Sequence, residues 1–268
     1  YATLASIVKY PFASTEAGTH GKFGFFATEE DTFLKIADQL GLRRLSAPDA
    51  PAAYARHPLV YLVEAADDIC YEIMDMEDAH KLKVLSFAET RDLLLGFFDE
   101  RTKDEIMARI ENEGISDENE QIVYMRARAI NMLETECVKV FVDNEEAILQ
   151  GTFSGSLVSH IGERTKKAYE RCVNVSMRKI YCSKPVLDIE LSGYKIMETL
   201  METLTHAAIN PEQFHSKQLI RRFSSQYDIC SPDVETRIMA VIDFVSGMTD
   251  IYALDIYQKI NGISLPIV

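Results

Sequence analysis

Long stretches of helical periodicity run through this chain with little to interrupt them, and that pattern leaves few folds open. Glycine and proline, the residues that punctuate backbone structure, number only 12 and 8 in 268 residues. They gather early: Pro11, Gly18, Gly21 and Gly24 break up the first two dozen positions, and Pro48, Pro51 and Pro58 punctuate the next. Beyond them, apolar residues recur at spacings of three and four, the mark of helices with one buried face.

The spacing predicts a helix over Glu29–Leu40, opened by acids suited to its positive end and stopped at Gly41. A second is predicted over Leu59–Asp78, entered through Pro58, and a third over Ser86–Phe98, with Ser86 as cap and Glu89 three residues on. Asp117–Leu149 reads as one long helix with Ile122, Met125, Ala129, Met132, Leu133, Cys137 and Val140 on a single face. Further helical segments are expected around 157–159, 163–173, 189–206, 211–223 and 232–260, the last ending before Gly262 and Pro266. Only Lys179–Tyr181 and Val186–Ile189 carry short β-branched runs suited to strands. The expected class is therefore all-α, a helical array with little or no strand. The polar stretch Glu111–Gln121 is the best surface loop, so a division is set there, into residues 1–110 and 111–268 of one continuous array.

Charge narrows the function. Lys and Arg total 28 against 42 Asp and Glu, a net charge of −14, which disfavours a chain that coats nucleic acid or anionic membrane. No apolar run approaches the ~20 residues a bilayer span needs. The five cysteines, Cys70, Cys137, Cys172, Cys182 and Cys230, are scattered without a Cys-x-x-Cys pair, so a zinc site or disulfide framework is not expected and a reducing cytoplasm is. The first residue is Tyr1, and the opening segment has no signal-peptide pattern; we expect a piece of a longer chain.

The richest segment is Arg56–Asp78. On a helix, Glu64, Asp67, Tyr71, Asp75 and Asp78 fall on one polar stripe, flanked by Leu59, Leu62, Val63, Ala66, Cys70, Ile73 and Met74. A helix apolar on most sides is expected to be buried, and carboxylates on it are costly unless they meet a cation, a metal ion or a ligand. Spacing leaves two readings open: a solvated acidic face, or carboxylates set for hard-metal or phosphate chemistry.

The segment EAADDICYEIMDMED (64–78) resembles the metal-binding helix of the deoxyguanosine triphosphate triphosphohydrolases of the HD-domain superfamily. The string DFVSGMTDIYALDIYQKINGISLP (243–266), YATLASIVKYP (1–11) and GKFGFF (21–26) resemble the same family, as do MRARAINML and QGTFSGSL between 125 and 157. The resemblance implies that Asp67 is one of four metal ligands, the metal being magnesium or manganese. It implies that Lys9 and Tyr10 reach the triphosphate and sugar, that Tyr71 and Asp75 contact the sugar and phosphate region, and that Glu190 and Arg222 correspond to groups near the base edge.

It further implies hydrolysis of dGTP to deoxyguanosine and tripolyphosphate, a homo-oligomer, and regulation by nucleotide or single-stranded DNA. A broad-specificity dNTP triphosphohydrolase and a noncatalytic nucleotide-binding regulatory homologue are the alternatives. The chain departs from the family in one respect. His20, His57, His80, His160, His206 and His215 are present, yet none precedes an Asp, so the family's His-Asp dipeptide is absent. The catalytic residues are expected upstream of Tyr1, and this chain alone is expected to be inactive.

Overall fold

The computed structural model describes residues 1–18 and 21–263; His20 and Pro266 lie outside the described residues. Among those residues there are twelve α-helices and no strand, with three isolated β-bridges. They form two compact units, Tyr1–Tyr181 and one that begins at Cys182. Position 110/111, where the sequence suggests a division, lies inside the first unit, within its fifth helix.

The first unit comprises α1 (Ala2–Ser6), α2 (Glu30–Leu40), α3 (Pro58–Lys81), α4 (Phe87–Leu95), α5 (Glu100–Asn112), α6 (Glu118–Asp143), α7 (Glu145–Leu149) and α8 (Glu163–Val175). The end signals act where the sequence places them. Gly41 closes α2 with φ of 62°, and Ser86 and Glu89 form a reciprocal capping box on α4. Asn144 splits the single helix expected over 117–149: its side-chain amide donates to the Val140 carbonyl at 2.8 Å, and its backbone leaves the helical region. α5 has no counterpart in the sequence reading because it buries only Ile106 and Ile110. α3 packs chiefly on α6, and α4 and α8 complete the bundle. Ile73, Met76, Leu94, Ile122, Met125 and Leu133 fill its centre, all fully buried.

α8 runs into a π-helical turn, Ser176–Ile180, which takes up most of one strand candidate. The other lies within α9 (Lys184–Ile209), the first helix of the second unit, which carries Pro185 in its opening turn. α10 (Phe214–Ile220), α11 (Val234–Ser246) and α12 (Asp250–Ile260) pack on α9 around Leu200, Leu204, Ala208 and Val241. The helix expected over 232–260 is broken between α11 and α12, where Thr249 caps α12 by accepting from the Tyr252 N–H. No helix among the described residues is long and apolar enough to cross a membrane.

Three glutamates of α3 are buried, Glu64, Glu72 and Glu77, and each has found a partner. Glu77 is held by Arg126 of α6 and by Lys81. Removing one member of a buried pair strands the other. Glu77→Ala is therefore expected to destabilise the chain by about 3 kcal/mol in urea unfolding, and a loss below about 1 kcal/mol would mean that solvent already satisfies Arg126.

Candidate functional site

Proline fits the first turn of α3 because no intrahelical N–H is needed there. His57 caps the helix, its Nδ1 accepting from the Leu59 N–H at 3.2 Å. Burial lowers the His57 pKa, which keeps the ring neutral and able to accept.

Two turns in, Glu64 is 7% exposed and joins two cations. Arg56 Nη1 lies 2.9 Å from one carboxylate oxygen and Lys9 Nζ 3.0 Å from the other. Arg56 Nε also donates to the Lys9 carbonyl at 3.0 Å, so backbone and side chain of Lys9 are both fixed. Lys9 Nζ is 4.0 Å from Asp68 as well. Burial acts to lower the Lys9 pKa, but the Glu64 hydrogen bond and charge, with the Asp68 charge, outweigh it and hold the ammonium above its ordinary value. Glu64 therefore leaves the polar stripe in which spacing placed it and serves as an internal counter-ion.

Lys9 and Tyr10 line a cavity of about 330 Å³ with Arg56, Tyr61, Phe153 and Gly155. Tyr61 anchors its wall by donating to the Phe153 carbonyl at 3.0 Å. Two glycines make this packing possible. A Cβ at Gly24 would lie 2.1 Å from the Tyr10 carbonyl oxygen. One at Gly151 would lie 2.6 Å from Ala55 Cβ, and its φ of 65° already favours glycine. Both stand in segments that carry the resemblance, GKFGFF and QGTFSGSL.

Asp67, Tyr71 and Asp75 follow at i, i+4 and i+8, a row rising about 12 Å along α3. Asp67 is exposed, Tyr71 is 62% exposed and Asp75 is half-buried. Leu59, Leu62, Val63 and Met74, expected to be covered, are exposed beside them. Burial raises the Asp75 pKa, a hydrogen bond from Tyr181 opposes the rise, and the Asp78 charge adds to it. Asp68 is raised by burial too, against the pull of Lys9.

The residue that sequence reasoning missed is Tyr181. Its hydroxyl donates to Asp75 Oδ2 at 2.7 Å across 106 residues of sequence. Burial, and then hydrogen bonds with Asp75 and Tyr71, raise its pKa, so it stays a neutral donor. No short-range pattern signals such a pairing, because Tyr181 follows a π-turn that displaces the register of α8.

Asp67 and Asp68 offer adjacent carboxylates, but no three His, Cys, Asp or Glu side chains among the described residues converge to hold a metal ion. The residues present thus supply at most part of a coordination set. Glu190 lies on the exposed first half of α9 and Arg222 just past α10, both in the second unit.

Residues 159–259 match the model of the phosphohydrolase-associated domain. Over 99% of its length the chain is 32% identical to a deoxyguanosinetriphosphate triphosphohydrolase-like protein of Pseudomonas aeruginosa, covering 60% of that relative. Proteins of the same name from Synechocystis and Listeria monocytogenes are 31% and 30% identical over 98% of the chain, again with 60% of each relative covered. The chain is similar to these deoxyguanosinetriphosphate triphosphohydrolase-like proteins over nearly its whole length, and it spans about 60% of theirs.

The geometry makes Glu64 the cause of the raised Lys9 pKa. In Glu64→Gln the charge is lost while burial persists, so the Lys9 pKa is expected to fall, as read by NMR titration of the labelled lysine. An unmoved Lys9 would show that Asp68, not Glu64, controls it.

Proposed function

We propose that the full-length protein hydrolyses a deoxynucleoside triphosphate, with dGTP the first candidate, to the deoxynucleoside and tripolyphosphate. The observation that carries this reading is the row Asp67–Tyr71–Asp75 on α3, which starts three residues on from the Glu64 that, with Arg56, holds Lys9 in place. Such a row can address a polyanion at one end and a sugar at the other. The names of the relatives support the reaction class.

Water attacks the α-phosphorus, the bond to the 5′ oxygen breaks, and that oxygen takes a proton as the deoxynucleoside departs. In this proposal Lys9 neutralises charge on the triphosphate. Its partner Glu64 keeps it protonated and fixed, so binding does not have to order a free lysine. Tyr10 reaches toward the same region from the cavity that it shares with Lys9. Tyr71 packs against the sugar where a ribose hydroxyl would sit, and Asp75 accepts from a sugar hydroxyl while Tyr181 fixes its carboxylate. Asp67 would contribute one ligand to a magnesium or manganese ion, part of a coordination set that the described residues do not complete. That ion would supply Lewis-acid polarisation of the phosphate.

Product analysis by phosphorus NMR checks the reading. The full-length protein with Mg²⁺ or Mn²⁺ is expected to release tripolyphosphate from dGTP; turnover of all four dNTPs alike would make it a broad-specificity enzyme, and binding without hydrolysis a regulatory homologue. Tyr71→Ala is expected to reduce the preference for dGTP over GTP, and unchanged discrimination would remove Tyr71 from the sugar site.

The raised Asp75 pKa adds a pH prediction. Acceptance from a sugar hydroxyl needs the carboxylate, so nucleotide affinity is expected to fall as pH drops through a value above 3.8. Asp75→Asn should abolish that limb of the binding profile.

A further inference from the structure

The π-turn at Ser176–Ile180 is tied to α3 from both ends, and the tie explains how Tyr181 comes to reach Asp75. Ser176 is completely buried, and its hydroxyl donates to Glu72 Oε1 at 2.7 Å. The carbonyl of the same Ser176 accepts the Tyr181 N–H at 2.9 Å, the five-residue hydrogen bond that defines the π-turn. Tyr181 then returns to α3 through its hydroxyl, three residues along from Glu72. Glu72, Ser176, Tyr181 and Asp75 therefore close a ring of contacts: side chain to side chain, backbone to backbone, and side chain to side chain again.

An ordinary α-helical turn has one residue fewer in each hydrogen-bonded loop, so relaxing the π-turn would rotate the phenol about the helix axis by roughly a residue's turn, ~100°. The Glu72–Ser176 bond opposes that relaxation. It is also an expensive arrangement to keep for stability alone: Glu72 is a buried carboxyl, 6% exposed, with its pKa raised by burial and lowered in part by Ser176. Next to it Cys172 is pushed up to about 12 by burial and by the Glu72 charge, so it is an unreactive thiol and not an alternative use for the glutamate.

We propose that Glu72 and Ser176 are positioning residues for the nucleotide's sugar: they lock the π-turn so that Tyr181 holds Asp75 in its accepting orientation. The proposal rests on the reading of Asp75 as a sugar contact, and it adds two buried residues that touch no ligand.

Three variants of the full-length protein test it. Ser176→Ala removes the hydroxyl, Glu72→Ala removes the acceptor, and Glu72→Gln keeps an oxygen that accepts from Ser176. Ser176→Ala and Glu72→Ala are expected to raise the KM for the deoxynucleoside triphosphate about fivefold or more, the loss from one good hydrogen bond, while kcat changes less than about twofold. Glu72→Gln is expected to restore KM. Hydrogen exchange at the Tyr181 amide should quicken in Ser176→Ala and not in Glu72→Gln.

Unchanged KM and unchanged Tyr181 exchange in Ser176→Ala would overturn the proposal. So would equal losses in kcat and KM that Glu72→Gln fails to rescue, the signature of general destabilisation. If the wild-type protein hydrolyses no deoxynucleoside triphosphate, the functional reading fails. The exchange measurement still decides whether Glu72 and Ser176 lock the turn.

Discussion

A carboxylate on a buried helix must be paired, and α3 carries enough of them to organise everything around it. Glu64 draws in Arg56 and, from 55 positions earlier in the chain, Lys9. Glu72 takes the hydroxyl of Ser176, and Glu77 takes Arg126 and Lys81. These pairs tie the opening segment, α6 and the π-turn to one helix. The aspartates of the same helix, Asp67, Asp68, Asp75 and Asp78, lie nearer the surface, and Asp75 takes the Tyr181 hydroxyl.

This sorting divides structure from chemistry along a single element. The inward glutamates gain partners from the protein and fix the surroundings. The outward row keeps a polar face, with Asp75 bonded to Tyr181, and beside the helix Lys9 is held charged by Glu64. Under the proposed function, changes at residues that never meet the nucleotide reach the site, because Lys9 and Asp75 are held by Glu64 and Tyr181.

The all-α class and most helix positions were legible in the sequence because caps act locally. Ser86 with Glu89, Gly41 and Pro58 each does its work within four residues. What escaped depended on longer range or finer balance. Asn144 and the segment before Thr249 broke helices whose apolar periodicity ran on without a gap. α5 buries too few apolar residues to announce itself, and the β-branched run near 180 lies in a π-turn whose Ser176 bonds to Glu72 of α3. At the site, residues on α3 could be placed on one helix from spacing. Their separation into inward and outward groups could not, since it depends on α6, α8 and the opening segment packing against only part of the helix surface. Tyr181 was beyond reach for the same reason.

The most direct test is a structure of the full-length protein with a non-hydrolysable deoxynucleoside triphosphate and a divalent ion. The account predicts the nucleotide lying along the Asp67–Tyr71–Asp75 row, its phosphates toward Lys9 and its sugar against Tyr71, Asp75 and Tyr181, with Glu64 still bonded to Arg56. A nucleotide bound away from that row, or bound with Asp75 and Tyr181 untouched and Glu64 facing the ligand, would contradict it.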